Sequence, residues 1–450
     1  METKSFKLFE PDPHIPMMPA DKVKKAYKNL RWRVLESTFI GYAMFYLVRN
    51  NLSTVAKDME VALYYDKEMI GNILAITAIS YGVGKFVLGA LSDRSNPRKF
   101  MAVGLFLSAL INFIFGGIAN YGVHLTLWAI NGFIQGMGWP PCGRTMGHWY
   151  SIKERGSVFA VWNVAHNIGG GIAGVLAAYA AFTFGGWQAA FYFPGVIALI
   201  GSFYVWFRLK DTPQSCGLPP IEEFKKEDYH DVEKIEAPER ELSYKELFVD
   251  NILKNKYLWI FAIANFFVYV VRYSMLDWGP TYLREVKNAS LTGGGFAILI
   301  TEFAGIPSTL LMGWLSDKAG GRRGMVSLLC MIPILFAFLG IYLTPAGFLW
   351  LDMVFLGIVG FFVYPPVMLL GVSGLDLTSK KAVGTAAGFI GLLGYLGRTA
   401  QAKGFGWIAD YFGKIYGKQY AWDMVIICIL VCTVISIIAL AFTWKVKPKA

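Results

Sequence analysis

Two arginines stand in runs that are otherwise apolar. Arg49 lies in Gly41 to Leu52, GYAMFYLVRNNL, and Tyr46-Leu47-Val48-Arg49 is echoed by Tyr269-Val270-Val271-Arg272 about half a chain later. A charged side chain at the centre of a membrane helix costs on the order of 2.5–3.5 kcal/mol on insertion scales, so something must offset it. Acids are few nearby: Asp277 follows Arg272 closely and Glu302 sits in the next apolar run. If both acids pair internally, at least one guanidinium still lacks a partner, and a ligand anion is the natural one. A guanidinium is a planar fork that matches two oxygens of a phosphoryl group. The pair is therefore expected to hold a phosphate, and two such cations in one cavity, 10 Å apart, would repel by roughly 1.7 kcal/mol until an anion separates them.

Other ionisable groups share these runs: Lys85, His166, Arg398 and Lys403. Such groups are functional by default, with structural pairing as the alternative. Lys85, in ISYGVGKFVLGALSD, either meets the ligand, balances charge or snorkels toward Asp93. His166, in WNVAHNIGGGIAG, has Asn163 and Asn167 beside it, so ligand contact and a satisfied core histidine are both open. Tyr42, Tyr46 and Tyr81 line the same cavity or pack between helices. Gly136-Met137-Gly138-Trp139-Pro140-Pro141 is expected to kink its span.

The elements that carry these residues must cross a membrane. Of 450 residues, 55% are hydrophobic and only 16% charged, where a soluble protein has about 25% charged. Apolar runs long enough to cross a hydrocarbon core recur at approximately 33–52, 69–91, 98–118, 124–146, 157–181 and 188–208, then 257–278, 292–315, 325–344, 348–374, 383–409 and 421–444. Each is expected to be a helix. The organisation is thus an all-α membrane protein of about twelve spans. A segment 1–32 precedes a six-helix bundle 33–208, a charged linker 209–255 carries a surface helix near Leu242 to Val249, and a bundle 256–444 precedes a tail 445–450.

The net charge of +11 does not indicate nucleic acid, because the excess sits in alternate short loops and at the termini. The positive-inside rule then places both termini in the cytoplasm. The five cysteines have no zinc spacing, and Cys428 and Cys432 share a helical face as packing residues. No Walker A pattern or catalytic triad is present, so neither an enzyme nor a cofactor is expected.

Further landmarks repeat in the same register. Gly89-Ala90-Leu91-Ser92-Asp93-Arg94 recurs as Gly313-Trp314-Leu315-Ser316-Asp317-Lys318, and Pro140-Pro141 as Pro365-Pro366. Two parallel, pseudo-symmetric halves follow. The doubled loop resembles the signature of the major facilitator superfamily. Its aspartates, Asp93 and Asp317, are expected to form charge locks that gate one side.

FYLVRNN, GKFVLGALSDRSNPRKF, FIQGMGWPPCGRTMGHWYS, VRYSMLDWGPTYLREVK and EFAGIPSTLLMGWLSDK together resemble the organophosphate:phosphate antiporter family. That family includes bacterial glycerol-3-phosphate and hexose-6-phosphate transporters and a related glucose-6-phosphate sensor. By motif, the resemblance makes Arg49 and Arg272 the phosphate-binding arginines and Lys85 and His166 residues near the substrate. It makes Asp277 and Glu302 the intramembrane acids, and Tyr42, Tyr46, Tyr81, Tyr364 and Tyr395 the cavity tyrosines. Two departures stand out: Asn50 replaces a lysine of glycerol-3-phosphate transporters, and the eleventh span carries Arg398 and Lys403. These charges look more like the hexose-phosphate and sensor branch. Arg398 either extends the site or pairs with Asp277 or Glu302, and Lys403 balances charge.

The resemblance implies exchange of a sugar phosphate, glucose-6-phosphate foremost, for inorganic phosphate by alternating access. The alternatives are a glycerol-3-phosphate antiporter and a hexose-phosphate sensor. The protein is expected to be a monomer in a bacterial inner membrane, with lipid, organophosphate and phosphate as its partners.

Overall fold

The computed structural model describes residues 7–92, 95–226, 253–377 and 383–447, and every regular element among them is helical. The first half contains α1 (Ala20–Leu47), α2 (Asn51–Leu63), α3 (Lys67–Ser92), α4 (Pro97–Gly117), α5 (Tyr121–Gln135), α6 (Trp139–Trp149), α7 (Ile152–Phe184) and α8 (Ala189–Arg208). After the short α9 (Ile221–Phe224), the second half contains α10 (Lys256–Asp277), α11 (Gly279–Val286), α12 (Leu291–Lys318), α13 (Arg323–Leu343), α14 (Leu349–Asp376), α15 (Val383–Tyr416) and α16 (Lys418–Ala441). Among the described residues, 9 helices are long and apolar enough to cross a membrane. The first, fourth and eleventh expected spans are built differently. Two of them are broken, and the third lies in α15, which carries Arg398, Lys403, Asp410 and Lys414.

The first span unwinds at Val48, Arg49 and Asn50 and restarts as α2. A break in apolar surroundings frees backbone carbonyls that need donors. The Val48 carbonyl accepts from Asn112 Nδ2 at 3.0 Å and Asn131 Nδ2 at 2.9 Å. Asn51 Nδ2 donates to Asn112 Oδ1 at 2.8 Å and to the Ala190 carbonyl at 2.9 Å. Helices α2, α4, α5 and α8 are thus tied to the point where Arg49 leaves the backbone.

The fourth span is not kinked but broken, between α5 and α6 at Gly136-Met137-Gly138. A Cβ on Gly136 would lie 2.5 Å from the Gly84 carbonyl carbon, so only glycine lets this turn lie against α3. The matching Pro365-Pro366 stays inside α14. The second half breaks later: α10 continues past Arg272 to Asp277 before α11 begins.

The halves meet along α3 with α15 and α7 with α12. Gly174 faces Gly295 so closely that a Cβ on Gly295 would lie 2.6 Å from the Gly174 carbonyl oxygen. At this end, which holds the start of α3 and the start of α12, ion pairs join the halves. Arg284 is bidentate to Asp58 at 2.5 and 2.8 Å, and Lys67 sits between Glu60 at 3.3 Å and Glu285 at 3.2 Å.

The opposite end, with the basic loops, is held differently. Arg323 pairs with Asp317 and with Asp376 at 3.1 Å, binding α12, α13 and α14 of one half. Asp93 and the expected surface helix near Leu242 to Val249 lie outside the described residues. The start of the linker is not loose. Leu218 and Ile221 are buried against the first half, Trp149 Nε1 donates to the Asp211 carbonyl at 2.8 Å, and Arg144 reaches Asp211 at 3.8 Å. Burial raises the Asp211 carboxyl pKa from its ordinary value.

Candidate functional site

The break at Val48 places the Arg49 guanidinium over two rings, Tyr46 at 4.2 Å and Tyr81 at 4.9 Å. Arg272, in the unbroken part of α10, lies over Tyr364 at 4.6 Å, Tyr273 at 4.9 Å and Tyr269 at 6.0 Å. Two aromatic paths join the arginines. On one, the His166 ring stands between Tyr46 and Tyr364, with centroids at 6.3 and 5.8 Å. On the other, Tyr395 stands between Tyr81 and Tyr269, at 5.2 and 5.5 Å. Each path starts in one half and ends in the other, so both halves contribute to one enclosed polar centre.

No carboxylate lies within 4.0 Å of either guanidinium among the described residues. Arg49 Nε and Arg272 Nε are buried without a hydrogen-bond partner among the described residues. Ring faces offset part of a cation's desolvation, by about 0.5–2 kcal/mol each, but leave its N–H donors unfilled. Donors of this kind, converging from two sides, suit a dense, multivalent oxyanion.

The two acids are engaged elsewhere. Asp277 accepts from Arg398 at 3.0 and 3.4 Å and from Gln401 Nε2 at 2.7 Å. Arg398 also lies 4.0 Å over the Tyr273 ring. The pairing alternative for Arg398 is therefore the arrangement present, and its charge is matched by a carboxylate. Glu302 crosses between the halves, accepting from Asn167 Nδ2 at 3.1 Å. His166 Nδ1 donates to the Asn163 carbonyl, leaving Nε2 an acceptor in the neutral ring and a donor in the cation.

The remaining expected residues divide. Tyr42 stacks on Trp162 at 4.8 Å, and its hydroxyl lies 3.3 Å from that of Tyr46, so it backs the first row rather than facing Arg49. The Lys85 ammonium lies 5.1 Å over Trp139, beyond the ring path. Lys403 is exposed and forms no ion pair among the described residues, so the structure leaves it out of the cluster. A cavity of about 20 Å³ is lined by Arg49, Asn50, Tyr273, Asp277 and Arg398, which has room for one water and no more.

Sequence reasoning missed Tyr269 and Tyr273, although Tyr269 is the repeat partner of Tyr46. It also missed Asn51, Asn112 and Asn131, whose signal was an amide inside an apolar run.

Comparisons with known proteins agree with this architecture. The family model described as Major Facilitator Superfamily matches residues 38–402. The chain is 42% identical to the "Glycerol-3-phosphate transporter" of Bacillus subtilis, over 98% of this chain and 99% of that protein. It is 40% identical to the "Probable hexose phosphate transport protein" of Chlamydia muridarum, over 99% and 98%. It is 35% identical to "Membrane sensor protein UhpC" of Escherichia coli, over 84% and 85%. A solved bacterial homolog of the human lysosomal transporter Spinster, inward-facing and unoccupied, superposes with a TM-score of 0.75 at 14% identity, covering 94% of this chain and 99% of that one, and so shares the fold. With a matched superfamily model and relatives of this similarity along nearly its whole length, the chain belongs to the major facilitator superfamily and, within it, to the organophosphate:phosphate antiporter family.

Proposed function

We propose that the chain transports an organophosphate in exchange for inorganic phosphate, with the phosphoryl group held between Arg49 and Arg272. The observation that carries this reading is the pair of buried guanidiniums, one from each half, with no carboxylate within 4.0 Å among the described residues. With no anion between them, bringing the halves together sets two desolvated cations facing each other. A phosphoryl group reverses the sign of that interaction, so the loaded centre passes from one access state to the other and the empty one does not. This is exchange by alternating access, without ATP and without a covalent intermediate. The protein is a transporter, not an enzyme. The helices lie in a bacterial inner membrane, and the positive charge of alternate loops supports cytoplasmic termini.

Glucose-6-phosphate is the first reading, because Arg398 and Lys403 make the eleventh span resemble the hexose-phosphate and sensor branch. Glycerol-3-phosphate is the second reading, because Asp277 already matches Arg398 and the Bacillus subtilis relative is named for that substrate.

Purified protein in liposomes loaded with phosphate tests both. Labelled external organophosphate should accumulate only when phosphate is inside, and unlabelled glucose-6-phosphate should compete better than glycerol-3-phosphate. Binding without counterflow would replace the antiporter with a receptor. Stronger competition by glycerol-3-phosphate would select the second reading.

A further inference from the structure

A second basic centre lies far from the arginine pair, at the end of the first half where α1 begins and α8 ends. A cavity of about 920 Å³ is lined there by Lys24, Lys28, Arg31 and Arg33 of α1, Arg208 of α8 and Lys225 after α9. Two of these six cations have carboxylate partners: Arg31 pairs with Glu154, and Arg208 with Glu36 at 2.9 Å. Lys24, Lys28, Arg33 and Lys225 form no ion pair among the described residues. The Nε atoms of Arg31, Arg33 and Arg208 are buried without acceptors. The floor is a built one, since Tyr27 stacks on Phe224 at 4.0 Å and donates to the Pro219 carbonyl at 3.0 Å.

The surroundings discriminate between a soluble anion and a lipid. Ile200, Phe203 and Phe207 form an exposed apolar stripe on α8, at helical spacing, that ends beside Arg208. Trp32, also on the cavity wall, is 64% exposed. An aromatic ring at the end of a span, with cations just beyond it, is the side-chain arrangement of a membrane–water interface. The apolar stripe leads hydrocarbon to the cavity mouth, and the cations meet what lies above it.

We propose that this cavity binds the headgroup of an anionic phospholipid from the adjoining leaflet, with its acyl chains along the α8 stripe. The phosphodiester is held by Lys28, Arg33 and Lys225, three of the four cavity cations that form no ion pair among the described residues. Because these contacts join α1, α8 and the docked start of the linker, the lipid fastens the linker to the first half.

Native mass spectrometry of the full-length, delipidated protein in detergent tests this with phosphatidylglycerol and phosphatidylcholine of the same acyl chains. Phosphatidylglycerol should be retained at low micromolar concentration and phosphatidylcholine should not. The Lys28→Gln/Arg33→Gln/Lys225→Gln variant should bind phosphatidylglycerol roughly 100-fold more weakly. The single Arg33→Gln variant, which removes one cation without an ion pair, should lose several-fold. Stabilisation by inorganic phosphate, a property of the central site, should be unchanged in both. Equal retention of the two lipids, or unchanged affinity in both variants, overturns the proposal. Displacement of the lipid by glycerol phosphate at comparable concentration also overturns it, because the cavity would then be a soluble-anion site.

Discussion

Arg284 and Arg49 are the same side chain in opposite circumstances. At the closed end, Arg284 has both terminal nitrogens on Asp58, and the pair links α11 to α2 across the halves. In the centre, Arg49 and Arg272 lie over ring faces with no carboxylate within 4.0 Å among the described residues, and the Nε of each is buried without an acceptor. The difference separates two uses of one chemistry. A guanidinium with its own carboxylate is a fastener and asks for nothing further. One without it keeps an unmet demand for negative charge, which in the proposed function the phosphoryl group meets. Arg398 stands between these cases: it is central, yet matched by Asp277.

Substitutions can sharpen or break this contrast. The largest effect is expected at the unmatched pair. Arg49→Lys or Arg272→Lys should lower phosphate exchange in liposomes by about 100-fold or more, since an ammonium keeps the charge but not the fork. Wild-type exchange in both would end the distinction between unmatched and matched arginines.

The next effect is on stability. Asp277→Asn strands the Arg398 charge and should destabilise the protein by about 3 kcal/mol in denaturation of the solubilised protein. Adding Arg398→Gln should restore much of that loss. If the double variant is no more stable than the single, Arg398 is not held by the acid.

Unfastening the closed end comes third. Asp58→Asn should weaken it by about 0.5–1 kcal/mol, because the pair is partly exposed. Spin labels on α2 and α11 should then report a few-fold rise in the separated population. The smallest effect belongs to Asp317→Asn at the other end. This pair lies within one half and Asp317 is largely exposed, so stability should change by less than about 0.5 kcal/mol. The same spin labels should show no change in separation.

Much of the centre was readable before any coordinates. The echo of YLVR in YVVR marks both arginines, and the scarcity of acids implies that at least one lacks a carboxylate; among the described residues neither has one within 4.0 Å. Composition and run length gave the helical membrane class. The breaks were not readable, because an apolar run has the same hydropathy whether or not its backbone is interrupted. Val48 is held open by Asn112 and Asn131, which belong to other helices, and no local pattern near residue 48 announces them. Whether Arg398 would meet the acid or the ligand depended on how α15 is rotated against α10. Lys403, five positions on, shows the same dependence in reverse, as it falls on an exposed face. The charge of the linker masks, in the sequence, the short segment Leu218 to Ile221 whose end residues are buried and anchor it.

The meeting of Gly174 with Gly295 has a mechanical corollary. Two bare backbones in contact leave nothing compressible between them, so this seam is already as narrow as atoms permit. A single methyl group on Gly295 would act as a wedge, propping the seam ajar without altering any charge in the molecule. How tightly this end shuts thus depends partly on missing side chains, and one carbon atom is enough to loosen it.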